Sequence, residues 1–587
     1  MKKMVIIIAL LTGCNTFSYY NQKYSEDPGS EKEYRGIATF KIKEKDHNDR
    51  NLVLLALSGG GSRAAYFSAA VMFKLDKMGI LKKVDLISSV SGGSITAAYY
   101  CISSDPSDAS AVSGRLWEKE SVKKLLRRNL IARWIGNWFW PHNFFKYWFT
   151  SYDRTDIMAQ TLADNFFDRK YSGRDLKFSE CNKTRPKLVI NATLATTYYN
   201  GEPFTFTNED FMELIDSNID EHLVSRAVMA SAAFPGAFQY NVLRNFYPRK
   251  DPDKLCELND NESSKGEQYI HLFDGGIHDN LGVSSLLRVI YGSYNFKMCE
   301  FRNASSIPKL CTRIYNDGLR FKLYSPHCSI EWLNELLSRP DYYCDALKII
   351  NANPDIKSTI EIIKQDTLGY FDIEKYCGRM QEERNNPQSY GSLDYRMITD
   401  FQKLKIQKLN RRIIEALYPD YFQVKKEDGS IERFDNIYII LVDAYNDLKY
   451  GVDPEIYDPR GCSGRFIDST LSDSFTVLLK EKRDLALQSM VSLKKDLQKR
   501  KKNLRFIHFS FEKLKDIYVN TADISMKKDL FDLYKKLNNI KTSLSITDRN
   551  IKTIDKCTEA LFIYYNNELQ NVKRELCSGD RSAAAGH

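Results

Sequence analysis

Val84-Asp-Leu-Ile-Ser-Ser-Val-Ser91-Gly-Gly-Ser94 is the stretch that decides the fold. An apolar run climbs to a serine, and two glycines follow. Val84–Val90 reads as a buried strand, and the residues after Ser91 read as a helix to about Tyr100. The same order occurs just upstream. Leu52–Leu57 is a second apolar run, and Ser58-Gly-Gly-Gly-Ser-Arg63 is a turn. Ala64–Met78 then shows helical periodicity and stops at Gly79, with Ala65, Ala69, Val71, Met72 and Leu75 as its candidate core. Strand–turn–helix twice in succession predicts an α/β fold with a mainly parallel central sheet covered by helices.

Further strands are expected at Lys187–Leu194, Phe204–Thr207, Tyr269–Phe273, Ile437–Asp443 and Leu504–Ser510. Between about Tyr294 and Arg433 the pattern turns irregular, polar and cysteine-bearing, which reads as a long insertion within the domain. Lys480–Lys502 reads as a charged helix with a solvated face. The expected organisation is a signal over 1–13, a tether over 14–50 and a catalytic core over 51–293. The insertion follows at 294–433. The C-terminal part of the core, with charged helices, spans 434–575, and a disordered tail spans 576–587.

Ser91 occupies a strand-to-helix turn. A serine presented there as a nucleophile needs small neighbours, because its backbone is strained and its hydroxyl must stand clear. Ser89-Val-Ser91-Gly-Gly93 meets that need, with Ser89 where the usual elbow has glycine. A serine also needs a base. Leu272-Phe-Asp274-Gly-Gly-Ile-His-Asp-Asn280 offers Asp274 at the end of an apolar run, with Gly275 and Gly276 behind it. His278 is the alternative base.

Gly59-Gly60-Gly61-Ser62-Arg63 lies between a strand and a helix, where backbone N–H groups converge on an anion. That anion is either a tetrahedral oxyanion or a nucleotide phosphate. Gly59-x-Gly61-x-x-Ala64 formally fits a dinucleotide fingerprint, but that reading expects an acidic residue at the end of the next strand. Asp85 stands at its start, Ser91 follows its end, and no Walker-type Lys-Ser/Thr pair is present. The oxyanion reading is preferred.

Taken together, these segments resemble the patatin-like phospholipase family in identity and order. Asn191-Ala-Thr-Leu-Ala-Thr-Thr197, Ala230-Ser-Ala-Ala-Phe-Pro-Gly-Ala-Phe238 and Thr542-Ser-Leu-Ser-Ile-Thr547 are similar to further stretches of that family. The resemblance spans about 50–290, and more weakly 434–475 and 500–575. It implies a three-layer α/β/α patatin-like sandwich and a lipid acyl hydrolase of the phospholipase A type. It also implies Ser91 as nucleophile and Asp274 as base in a Ser-Asp dyad. The oxyanion hole would come from the amides of Gly59, Gly60, Gly61, Ser62 and Gly92, with Arg63, Gly93, Gly275 and Gly276 in support. Ala64 and Ser89 depart from the family's glycines, each by a small side chain. The substrate implied is membrane phospholipid or another lipid ester, with neither metal nor cofactor. A neutral-lipid esterase or acyltransferase would use the same site. The rival of another class is a non-catalytic surface lipoprotein that binds envelope or host ligands.

Four of the six tryptophans lie in Trp134–Trp148. Rings interspersed with Arg, Asn, His and Lys suit a membrane interface or an acyl-chain channel. A helix buried against the core is the other reading.

Met1-Lys-Lys followed by the apolar run Met4–Leu11 has the layout of a secretory signal, too short to span a bilayer. Leu11-Thr-Gly-Cys14 resembles the bacterial lipoprotein processing box, which implies export and lipidation of Cys14. A multiply acylated Cys14 would hold the protein firmly to a bacterial membrane, expected to be the outer membrane or cell surface. The 587 residues are 43% apolar and carry a net charge of +9, so a large core can form and an anionic surface is favoured. The basic residues are dispersed and no recognition motif appears, so nucleic acid is not an expected partner. Among twelve cysteines there is no CxxC or Cys/His metal spacing, and any disulfides are expected in the cluster Cys299–Cys377.

Overall fold

The computed structural model describes residues 21–24, 40, 42, 50–108, 112–170, 173–195, 201, 203–246, 269–298, 422–425, 431–446, 469–499 and 503–584. The signal, Cys14, most of the tether and insertion, and the cysteine cluster lie outside these residues.

Eight strands form one sheet. They are β1 (Asn51–Leu57), β2 (Leu86–Val90), β3 (Lys187–Leu194), β4 (Pro203–Phe206), β5 (Asn241–Arg244), β6 (Tyr269–Asp274), β7 (Asn436–Asp443) and β8 (Asn503–Ser510). Their spatial order is β8-β7-β1-β2-β3-β6-β5, with β4 also on β3. The five strands from β8 to β3 run parallel, while β4, β5 and β6 pair antiparallel. Every residue of β1 is buried, as a central strand covered on both faces requires. An asparagine ladder fixes the register at one end. Asn503 donates to Asn436 Oδ1 (3.0 Å), and Asn436 donates to Asn51 Oδ1 (2.8 Å).

Val53, Leu55 and Leu57 share one apolar cluster with α1 (Gly61–Lys77), α2 (Gly92–Ile102) and α14 (Asp548–Tyr564). The alternate residues Leu52 and Leu54 are equally buried and face the other way. On that side α10 (Val283–Met298) packs against β1 and β2, and α11 (Ser469–Lys499) against β8. Helices therefore cover both faces. All five expected core residues of α1 are at most 1% exposed. Its run of alanines lets α2 approach closely enough for Thr96 Oγ1 to donate to Ala65 O (2.6 Å).

Most boundaries fall within a residue or two of expectation, and the exceptions have local causes. β2 begins at Leu86, because Asp85 turns its carboxylate back onto Val53 N (2.8 Å). α1 begins at Gly61, the third glycine of the loop. α11 starts at Ser469, earlier than the charged run. The expected disordered tail is helical to Ala584 in α15 (Asn566–Ala584), where Leu569, Val572 and Leu576 bury one stripe. The expected insertion ends in an antiparallel hairpin, Phe422–Lys425 with Ile431–Phe434, which leads into β7.

Asp443 closes β7 and is completely buried. It accepts from Arg483 of α11 (2.8 Å) and pairs with His508 of β8 (3.0 Å). Burial alone would raise this carboxyl, but Arg483 and His508 hold it well below the usual carboxylate range.

Candidate active site

Ser91 follows β2 and caps α2 with φ 48° and ψ −117°. That is one of only two positive φ values at non-glycine positions among the described residues. Strain of this kind persists only where its surroundings enforce it. Here the enforcement is visible. Ser231, the last residue of α8 (Val224–Ser231), accepts from Ser91 N (2.8 Å) and donates to Asn191 O on β3 (2.6 Å). One hydroxyl therefore ties the elbow to the neighbouring strand.

Asp274 ends β6, where its backbone pairs with Ala192 of β3. Its N–H donates to Ala233 O (3.1 Å), and Gly275 N to Ser231 O (3.2 Å). The segment after α8 thus positions both Ser91 and Asp274. Gly276 N donates to Asp274 Oδ1 (2.8 Å), and the Ser91 side chain favours the charged form of the same carboxylate. Burial pushes the Asp274 pKa up to about 7, against the opposing pull of the Gly276 amide and the Ser91 side chain. A carboxylate at that value is suited to take and return a proton near neutral pH. His278 Nδ1 instead meets Gly201 O (2.9 Å).

The glycine loop lies against the elbow. A Cβ on Gly92 would collide with the backbone of Gly61, and one on Gly59 would come within 3.3 Å of Ser91 Cβ. Gly60 (φ 135°) and Gly61 (φ 60°) take conformations that suit glycine. Of the five expected oxyanion donors, two are already engaged. Gly59 N donates to Asn280 O (2.9 Å) and Ser62 N to Ser543 O (2.7 Å). Those bonds hold the loop rather than face a substrate, which corrects the expectation for Gly59 and Ser62. Among the described residues no backbone carbonyl outside a helix accepts from Gly60, Gly61 or Gly92. Gly92 opens α2, where the first N–H groups of a helix lack internal acceptors. Three amides thus remain next to Ser91 for an anion.

Arg63 is 5% exposed and acts as a brace. Its Nη1 donates to Ile540 O (2.6 Å), and its guanidinium lies beside Gly60. Burial lowers its pKa to about 10, partly offset by Asp443, so it stays charged at neutral pH. Gly93 packs on the backbone of Leu57 and Ser58, and Gly275 on that of Asn191, contacts that leave no room for a side chain. Asp85, weighed as a nucleotide ligand, instead pairs with Val53 inside the sheet.

Sequence reading missed Ser231, Asn280 and Ser543 as parts of the site. All three lie inside stretches that carried the family resemblance. Ser231 acts through its hydroxyl and Asn280 and Ser543 through backbone carbonyls, contacts that the stretches themselves do not announce.

Residues 55–287 match the family model described as patatin-like phospholipase. No curated protein matches the chain. Among solved structures, the chain is similar to the crystal structure of VipD from Legionella pneumophila at 12% identity. That likeness covers 65% of this chain and 92% of that one, with a TM-score of 0.19.

Proposed function

We propose that this chain, which carries a patatin-like phospholipase domain over residues 55–287, hydrolyses the carboxylic esters of membrane lipids through Ser91 and Asp274. The observation that carries the reading is that one segment, residues 231–233, holds both the strained Ser91 turn and the buried Asp274 beside the glycine loop. Ser91 Oγ attacks the ester carbonyl as Asp274 accepts its proton. The tetrahedral oxyanion is received by the amides of Gly60, Gly61 and Gly92. Asp274 then protonates the departing alcohol, leaving an acyl-Ser91. Water, losing a proton to Asp274, attacks the acyl group. Ser91 recovers its proton from Asp274 as the fatty acid leaves. Each transfer uses one group, which takes and returns one proton per half-reaction.

Acylation of Cys14 after export would hold this site at a bacterial membrane, beside its substrate. Mass-spectrometric analysis of lipid products, with wild type and Ser91→Ala in parallel, tests the reading. Free fatty acid and lysolipid should accumulate with wild type alone. Equal products from both proteins would overturn it.

A further inference from the structure

The sequence left the aromatic stretch either buried or interfacial. It folds as two short helices, α4 (Leu130–Trp138) and α5 (Pro141–Phe149). Both are deliberately capped: Asn129 accepts from Ala132 N (3.0 Å), and Pro141 opens α5. Their inner side is anchored. Trp134 Nε1 donates to Arg154 O (3.1 Å), and its ring packs on Phe238 with centroids 5.3 Å apart. Asn143 is 2% exposed and donates to Asn137 O (3.0 Å) and Gln160 Oε1 (2.9 Å).

Their outer side carries Phe139, Trp140, Phe145, Trp148 and Phe149, each 58–71% exposed. Among the described residues, eight of the nineteen exposed large apolar side chains fall in 131–149. Five of the others fall in 518–531, but the 131–149 group is the larger and holds all of the exposed tryptophans, so it is a patch rather than ordinary surface. Its charge points to the occupant. Residues 121–152 hold six basic residues (Lys123, Lys124, Arg127, Arg128, Arg133 and Lys146) and no acidic one. Arg127 and Lys123 are engaged by Asp548 and Asp555, whereas Lys124 and Arg133 are exposed cations. Bulky rings beside cations suit the headgroup region of an anionic bilayer, where rings enter the acyl boundary and cations meet phosphate.

The patch also adjoins the site. Leu130 N donates to Leu544 O (3.1 Å), one residue from the Ser543 carbonyl that holds Ser62. On the other flank Phe238 belongs to the segment whose Ala233 O accepts from Asp274 N. We propose that the outer face of α4–α5 docks the protein onto an anionic phospholipid surface beside the Ser91 site. This rests on the lipid-hydrolase reading for its purpose, but its binding test does not.

The test uses the full chain carrying Cys14→Ser, so that no acyl anchor contributes. Binding is measured by co-sedimentation with vesicles of phosphatidylcholine alone or with about a third phosphatidylglycerol. The parent should bind the anionic vesicles and release as salt rises. The exposed pair W140S/W148S should bind at least tenfold more weakly, with an unchanged melting temperature. Its hydrolysis of vesicles should fall by a similar factor, and that of a soluble short-chain ester should stay within about twofold. Equal binding by parent and variant would overturn the proposal, as would equal losses on both substrates. Binding without hydrolysis of any ester would leave the docking surface standing and sink the hydrolase reading instead.

Discussion

Asp274 is placed where a carboxylate costs stability and gains chemistry. Its pKa of about 7 lies above the ordinary value near 4 that it would have unfolded. The folded protein therefore binds more protons than the unfolded chain between about pH 4 and 7, and its stability falls as pH rises through that window. Asp274→Asn should accordingly melt higher than wild type at pH 8, and the difference should vanish near pH 4. A variant that melts lower at pH 8 would show that the carboxylate is not under desolvation strain. The same pKa sets the rate. The base works only when ionised, so kcat/KM should fall about tenfold per pH unit below about pH 7. A flat profile down to pH 5 would contradict the role of Asp274.

At the scale of elements, the site depends on two turns pressed together. The glycine loop before α1 and the start of α2 touch through Gly61 and Gly92, with no room for a Cβ. Gly92→Ala should push the loop off its position and cut kcat by about 100-fold, since oxyanion donors act only when aimed. Circular dichroism should show a fold still formed, and near-normal kcat would remove these amides from the mechanism. Much of this level is legible in sequence. The apolar runs of β1 and β2, the small residues around Ser91 and the Asp-Gly-Gly after β6 all mark their places locally. The engagement of Ser62 N by Ser543 O is not legible, because nothing in either segment signals a contact across some 480 residues. The antiparallel direction of β6 is hidden too, since alternation carries no direction. Periodicity likewise could not tell whether Trp140 and Trp148 face protein or water.

Across the whole molecule, the C-terminal region completes the sheet that holds the nucleophile. β7 lies directly beside β1, and Ser58 at the root of the glycine loop bonds across to it, with Ser58 N donating to Val442 O (2.9 Å) and Ala444 N to Ser58 Oγ (2.9 Å). The staple is the buried cluster of Asp443, Arg483 and His508, extended by Arg483 to Glu512 (2.7 Å). Arg483→Met would leave Asp443 charged and dry, at a cost of about 3–5 kcal/mol. Urea unfolding at neutral pH should show that loss, and a change under 1 kcal/mol would mean that the cluster is not what secures α11.

The central claim is that Ser91, activated by Asp274, is the residue that attacks. It is tested most directly by intact-protein mass spectrometry after exposure to a fluorophosphonate probe. Wild type should gain one adduct, mapped to Ser91. Ser91→Ala should gain none, and Asp274→Asn should react at least about 10³-fold more slowly. An adduct on Ser91→Ala, or an undiminished labelling rate in Asp274→Asn, would contradict the account.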